Sequence, residues 1–258
     1  MNLLSVDMRW YSGSAVNARM NEYLVIIDAF RATSMIATLL HLGVKRIIPV
    51  ASVEEALSLK AKNPDYLLVG EDRGARPEGF SFGNSPSLVY EQRERMDFSG
   101  KTVVHRSSAG TQALVNSLRI KKEQQARYTI FCSSLLNFRA VARHIASLNA
   151  GKDERLTLLC SGYVDKIYAL EDELAAGALA SALKDMIDIK MSEIATAAYL
   201  SFRGLNGEDI VSILRNTRSG AKIIEVGEEQ DIPFCCQMNL FDVVPVIEGE
   251  TVVNARAQ

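Results

Sequence analysis

Tyr23-Leu-Val-Ile-Ile27-Asp28-Ala-Phe-Arg31-Ala-Thr33-Ser34 is a β-branched apolar run that stops on a carboxylate and passes into small and hydroxyl residues. The run is too short to cross a membrane and has the composition of a strand buried on both faces. Its hydroxyl end opens an apolar helical stretch, Ser34–Leu42. The same pattern recurs along the chain. Strands are expected at Met1–Trp10, Arg46–Val50, Tyr66–Val69, Thr102–His105, Tyr128–Cys132 and Leu156–Cys160, and helices at Val53–Ala61, Gln112–Leu118, Phe138–Leu148 and Ala169–Leu183. Ser52 with Glu55 forms a capping-box pattern that fixes one helix start. This alternation is the rhythm of βα units, so the fold class expected is α/β, a layered α/β/α arrangement around a mostly parallel, mixed sheet. After Met191 the rhythm loosens to a helical stretch at Glu208–Leu214 and strand-like runs at Ile232–Cys236 and Val243–Ile247, which complete the sheet antiparallel.

With 258 residues, 48% of them hydrophobic, the chain buries a sizeable core. No Pro- or Gly-rich linker or internal repeat divides it, so residues 1–258 read as a single unit, with at most two intimate halves meeting near 150. A formal charge of −2 and a pI near 6.0 provide no basic field for nucleic acid or an anionic membrane. No window reaches the roughly 18 apolar residues of a spanning helix, and no signal-peptide pattern opens the chain. A cytoplasmic protein is expected. Cys132, Cys160, Cys235 and Cys236 lack zinc-ligand spacing and read as buried thiols.

In open α/β sheets ligands bind beyond the carboxyl ends of the strands, where helix N-termini present unpaired N–H groups. Reading only the residues after each strand gives Asp28 to Ser34, Glu71-Asp72-Arg73, Arg106 to Thr111, Ser133-Ser134 and Ser161-Gly162. Asp28 at a strand tip suits a hard cation, a base or a nucleophile, and equally a turn acceptor. Arg31 offers a planar fork for phosphate, carboxylate or sulfonate. Thr33 and Ser34 add hydroxyl and backbone donors. Glu71 and Asp72 fit a magnesium arrangement, while Gly79–Pro86 reads as a shaped binding lid. Arg106-Ser107-Ser108-Ala-Gly110-Thr111 resembles an anion-holding turn without a P-loop lysine. Glu171 and Asp172 begin a helix, where acids are favoured with or without chemistry, and Asp165 stands near the same rim. His41 and His144 read as structural; His105 closes a strand beside the candidate site.

Taken in order, Asp28-Ala-Phe-Arg-Ala-Thr-Ser, Pro49-Val-Ala-Ser-Val-Glu-Glu-Ala, Gly70-Glu71, Gly79-Phe80, Gly83-Asn-Ser-Pro86, Ala169-Leu-Glu-Asp, Ala175-Ala-Gly and Phe241-Asp-Val-Val-Pro resemble the 2-phosphosulfolactate phosphatase family over about residues 2 to 250. The resemblance implies a magnesium-dependent phosphatase with an α/β fold, releasing sulfolactate in coenzyme M synthesis. Carried over by position, it singles out Asp28, Arg31, Thr33, Ser34, Glu71, Asn84, Ser85, Gly110, Thr111, Glu171 and Asp172. The expected catalytic set is Asp28, Arg31 and Glu71. Magnesium would be held by some of Asp28, Glu71, Glu171 and Asp172. Substrate would meet Thr33, Ser34, Asn84, Ser85 and the Ser107–Thr111 loop, with Arg73 or Arg106 on a second acid group. Two departures stand out: Ser107-Ser-Ala-Gly-Thr replaces a more usual Thr-Thr-Asn-Gly-Thr, and Asp72 separates Glu71 from Arg73. A phosphatase for another small phosphorylated acid, and a non-catalytic sensor of small anions, are the alternatives. Partners are limited to a small anionic phosphorylated substrate and, on base rates, a second copy in a homodimer.

Overall fold

The computed structural model describes residues 3–11, 22–148, 154–164, 166–205 and 209–255. The expected strand start at Met1 and Asn2, Glu208 and Asp165 lie outside the described residues. Ten strands form one sheet: β1 (Leu4–Trp10), β2 (Glu22–Ile27), β3 (Arg46–Pro49), β4 (Leu67–Gly70), β5 (Thr102–Arg106), β6 (Thr129–Ser133), β7 (Arg155–Cys160), β8 (Ile189–Met191), β9 (Pro245–Glu248) and β10 (Thr251–Asn254). The helices are α1 (Ala32–His41), α2 (Val53–Lys62), α3 (Pro86–Glu91), α4 (Gly110–Glu123), α5 (Phe138–Leu148), α6 (Leu170–Lys184), α7 (Glu193–Arg203), α8 (Ile210–Arg215), α9 (Arg218–Glu225) and α10 (Asp231–Cys235).

The α/β class and the mostly parallel, mixed sheet are as expected. Alternate residues of β2 explain the layering. Leu24 and Ile26 belong to one buried cluster with Met35, Ile36 and Leu39 of α1, whereas Tyr23, Val25 and Ile27 belong to another with Val141 of α5 and Leu179 of α6. A strand buried on both faces reads as a continuous apolar run for this reason. At the start of α2, Ser52 Oγ accepts from Glu55 N–H at 3.1 Å, and Glu55 reaches back to Ala51 N–H at 3.0 Å.

The strand order is β4-β5-β3-β10-β9-β6-β2-β7-β1-β8. β3, β4 and β5 are mutually parallel, as are β1, β2, β6, β7 and β8. Between the blocks stands the antiparallel β9–β10 hairpin, paired to β3 through Val252 and Ile47 and to β6 through Val246 and Phe131. Three successive antiparallel steps make the two blocks run in opposite directions.

The fold departs from the sequence-based expectation in several places, and β8, β10, α3 and α9 are further elements that the pattern does not announce. Ile232–Cys236 is not a strand but lies largely within α10; Pro233 lacks the N–H a ladder needs and is tolerated in a first helical turn. Gly79–Pro86, expected as a shaped binding lid, brings Asn84 to the cavity but is packed onto the sheet along its first half. Phe80 is buried with Val50, Leu68 and Val104, Ser81 N–H donates to the Leu68 carbonyl at 2.8 Å, and Gly70 N–H donates to that of Phe82 at 3.1 Å. Helix α7, which the sequence pattern did not suggest, is capped by Ser192 and packs on α6 at Gly177, where an added Cβ would lie 2.1 Å from the Ala198 carbonyl oxygen.

Candidate active site

Loops from both blocks meet around a cavity of about 300 Å³. Asp28, Phe30 and Arg31 follow β2; Glu71, Arg73 and Gly74 follow β4; Ser107, Ser108 and Ala109 follow β5; Gly162, Tyr163 and Val164 follow β7. Asn84 enters from before α3, and Ser219, Lys222 and Ile223 of α9 roof the opening with Val226. The turn after β6 does not reach the cavity: Ser133 and Ser134 are buried, and Ser134 N–H is taken by Asn137 Oδ1 at 2.9 Å.

Asp28 is held by the first turn of α1. Its Oδ1 accepts from Ala32 N–H at 3.2 Å, Thr33 Oγ1 accepts from Asp28 N–H at 3.1 Å and bonds its carbonyl at 2.8 Å, and Ser34 Oγ donates to the Ala29 carbonyl at 2.8 Å. Thr33 and Ser34 therefore shape this turn. Gly110 packs against it so closely that a Cβ there would stand 2.7 Å from Asp28 Oδ2. Burial, reinforced by the Glu71 and Glu171 carboxylates and opposed by N–H groups of Ala32 and Gly110, pushes the Asp28 carboxyl up to about 7.

The turn after β5 is satisfied from within. Ser107 N–H donates to Thr111 Oγ1 at 2.6 Å, and Thr111 N–H donates to Ser107 Oγ at 3.0 Å. Ser108 donates N–H and Oγ–H to the Glu71 carboxylate, which also accepts from Gly74 N–H at 2.6 Å. Glu71 thus occupies the anion-holding turn itself. Arg106 does not line the cavity; it pairs with Asp72 at 2.8 Å and bonds the Glu71 carbonyl. Arg73, held at φ +51° with its N–H on Ser108 Oγ, does line it.

Asn84 Oδ1 bonds His105 Nε2 at 3.0 Å. His105 is fully buried, and desolvation holds its pKa down at about 3. The neutral ring therefore donates from Nε2, which leaves the Asn84 amide NH₂ as a donor group at the cavity wall. Ser85 caps α3 and donates to Asp231 at 2.8 Å instead of reaching the cavity. Arg31 Nη1 bonds both Asp231 and Glu228. Burial works against its charge, but those two acids outweigh it and hold the guanidinium pKa above its ordinary value.

Asp172 joins two loops: Oδ1 accepts from Ala29 N–H at 2.8 Å and Oδ2 from Gly162 N–H at 2.9 Å. Glu171 is equally buried, and its Oε2 has no hydrogen-bond partner among the described residues. Desolvation raises both carboxyls, Asp172 well above the usual range, with Asp28 and Glu171 adding to its shift. Among the described residues no group of three or more His, Cys, Asp or Glu side chains is placed to hold a metal ion. The oxygens of Glu71 and Asp172 are committed to N–H and hydroxyl donors. Asp28, on the cavity wall although it accepts from the Ala32 and Gly110 N–H groups, and Glu171, whose Oε2 has no partner among the described residues, remain as hard oxygen donors. That donor set fits a hydrated magnesium ion, which takes one or two carboxylates with water and substrate oxygens, better than a four-carboxylate cage.

Asp28, Arg31 and Arg73 beyond the carboxyl ends of strands, with Asn84 and Lys222 brought over them from outside the strand ends, give the cavity the position and polar lining of an α/β enzyme site. A profile described as 2-phosphosulpholactate phosphatase matches residues 12–250. Similar proteins include ones named "Probable 2-phosphosulfolactate phosphatase" from Carboxydothermus hydrogenoformans (34% identical, covering 98% of each chain) and Caldanaerobacter subterraneus subsp. tengcongensis (34% identical, 89% of each). Another, from Thermotoga petrophila, is 34% identical over 86% of this chain and 88% of its own. The chain belongs to the 2-phosphosulfolactate phosphatase family, a family of phosphoric monoester hydrolases. Among the described residues no helix is long and apolar enough to cross a membrane.

The roof residue Lys222, and Glu228 and Asp231 behind Arg31, carry no signal in the sequence. Lys222 lies in an amphipathic stretch with charged neighbours, and nothing local distinguishes it from a solvated lysine.

Proposed function

We propose that the cavity hydrolyses the phosphate ester of 2-phosphosulfolactate in a magnesium-dependent reaction. The names of the relatives support the substrate. The observation that carries the chemistry is Asp28, a buried strand-tip carboxylate on the cavity wall with a pKa near 7. Arg31 and the Asn84 amide take phosphoryl oxygens, while Arg73 and Lys222 take the carboxylate and sulfonate. Arg106, which does not line the cavity, is left out of that role, whereas Lys222 lines it and would turn to substrate from its exposed pairing with Glu225 at 2.6 Å. Magnesium, held by Asp28 and Glu171, would supply the charge neutralisation that a loose phosphoryl transition state requires. Water adds to phosphorus as the bond to the ester oxygen breaks, the proton that water releases passing to the departing alkoxide, and the internally bonded Ser107–Thr111 turn keeps Glu71 fixed in the cavity wall.

Phosphate release from 2-phosphosulfolactate and from a panel of other small phosphorylated acids, with magnesium and after chelation, tests this. Chelator-sensitive release fastest with 2-phosphosulfolactate is expected. Faster release from another phosphorylated acid would refute the substrate, release unaffected by chelation would refute the metal, and silence across the panel would refute the reading.

A further inference from the structure

Arg31 is a cavity residue whose anchor lies outside the cavity. Its Nη1 bonds Asp231 at 2.5 Å and also bonds Glu228, while Nε and Nη2 have no partner among the described residues. Asp231 is fully buried and receives three further hydrogen bonds on its other oxygen: Ser85 Oγ at 2.8 Å, Ser87 N–H at 3.0 Å and Ser87 Oγ at 2.6 Å. The carboxylate is thus gripped on one oxygen by the start of α3 and presents the other to Arg31. Glu228 is the outer partner, 21% exposed.

We infer that Asp231, which does not itself line the cavity, is a positioning residue for Arg31. It fixes the Nη1 edge so that the Nε–Nη2 edge, a planar pair of donors matched to two oxygens of a phosphoryl group, is offered to substrate. A free arginine must order its side chain on binding, and one pinned beforehand has already lost that freedom. Two carboxylates on one guanidinium leave the trio with a net charge of −1. Its attraction for an anion therefore depends on the directed donors at Nε and Nη2 more than on charge. Glu228 adds a second restraint from the solvent side, and Asp231 sets the direction.

The inference rests on the phosphatase reading, and two measurements keep their failures apart. The first is a cycle of Asp231→Asn, Arg31→Met and the double variant, assayed for phosphate release. Asp231→Asn can keep its amide oxygen towards the serines while its NH₂ faces Arg31, removing only the anchor. We expect it to lower kcat/KM by roughly 10- to 100-fold, and the double variant to be no worse than Arg31→Met, because both losses pass through one group. Additive losses, or Asp231→Asn within twofold of the parent, would overturn the inference. The second is the arginine side-chain ¹⁵N spectrum, read whether or not the protein turns over substrate, with the Arg31 signal assigned by its absence in Arg31→Met. Slowly rotating Nη groups in the parent that become mobile in Asp231→Asn support the anchor even if no phosphomonoester is hydrolysed. An Arg31 signal equally mobile in both refutes it even if hydrolysis is fast.

Discussion

Gly110 of α4 packs directly on Ala32 of α1 and on the Asp28 carboxylate, so Gly110→Ala is the sharpest probe of the site's geometry. An added Cβ would lie 2.6 Å from the Ala32 Cβ, 2.7 Å from Asp28 Oδ2 and 2.9 Å from the Asp28 Cβ, all inside the 3.0 Å that such contacts essentially never breach. Neither Cβ can rotate away, so helix and strand tip must separate by some tenths of an ångström. Overpacking of this kind costs about 1–3 kcal/mol. Replacing glycine by alanine within a helix returns at most about 1 kcal/mol. With the full return subtracted the steric cost leaves a net loss of up to about 2 kcal/mol, which for a chain of this size lowers Tm by up to about 8 °C. Because the atom displaced belongs to Asp28, activity should fall further than stability, by roughly 10²-fold in kcat/KM. Gly177→Ala supplies the contrast: its Cβ would meet the Ala198 carbonyl oxygen at 2.1 Å in the α6–α7 contact, away from the cavity lining. It should cost stability while the folded protein keeps its kcat. Thermal melts and phosphate-release kinetics on both variants decide the matter. A Gly110→Ala protein with unchanged Tm and kcat/KM within threefold of the parent would refute the reasoning.

The same contacts set the outcome of further perturbations. Asp28 has a pKa raised from 3.8 to about 7, so its contribution to stability is present below pH 4 and is lost as pH rises through 7. In chelator, Asp28→Asn should flatten the decline of Tm between pH 4 and 8, and magnesium should raise Tm at pH 8 in the parent but not in this variant. Asp172→Ala strands the N–H groups of Ala29 and Gly162 in the interior, at about 1–3 kcal/mol each, and should lower the denaturation midpoint clearly. Lys222→Met should raise KM about tenfold for a substrate carrying further acid groups. It should leave KM unchanged for a monoester of a neutral alcohol, and equal effects on both would remove Lys222 from substrate recognition.

The strands that carry the site were legible because burial on both faces leaves an unbroken apolar signal. Tyr23–Ile27 and Leu156–Cys160 announce themselves, and the residues after them are where an open sheet binds ligands. Asp28, Arg31 and Glu71 could be picked out on that basis, and Asn84 only through the family resemblance. Local sequence does not say which hydroxyls and acids are consumed in holding the loops. Thr33, Ser34, Ser85 and Thr111 have the same chemistry as ligand-binding residues, and only the fold shows them bonded to Asp28, Ala29, Asp231 and Ser107. The partners of Arg31 lie about 200 positions away, with separations of 197 and 200 residues, beyond any periodicity argument. Ile232–Cys236 misled because its apolar composition suits a strand, while Pro233 and the buried Asp231 suit a helix start.

The opposed strand blocks also constrain the order in which the molecule comes into being. The hairpin that couples them, β9–β10, spans Pro245–Asn254, and α9 and α10 precede it closely. During synthesis the block containing β3, β4 and β5 is complete by residue 106, and its βα contacts are local enough to form early. The other block waits for β7 to lie between β1 and β2, whose residues were made about 150 and about 130 positions before. The cavity, lined from both blocks and roofed by α9, is therefore a product of late, long-range closure. A nascent chain halted at residue 200 would already carry Asp28, Glu71 and Asp172, yet it would still lack the roof, the acids behind Arg31 and the coupling hairpin.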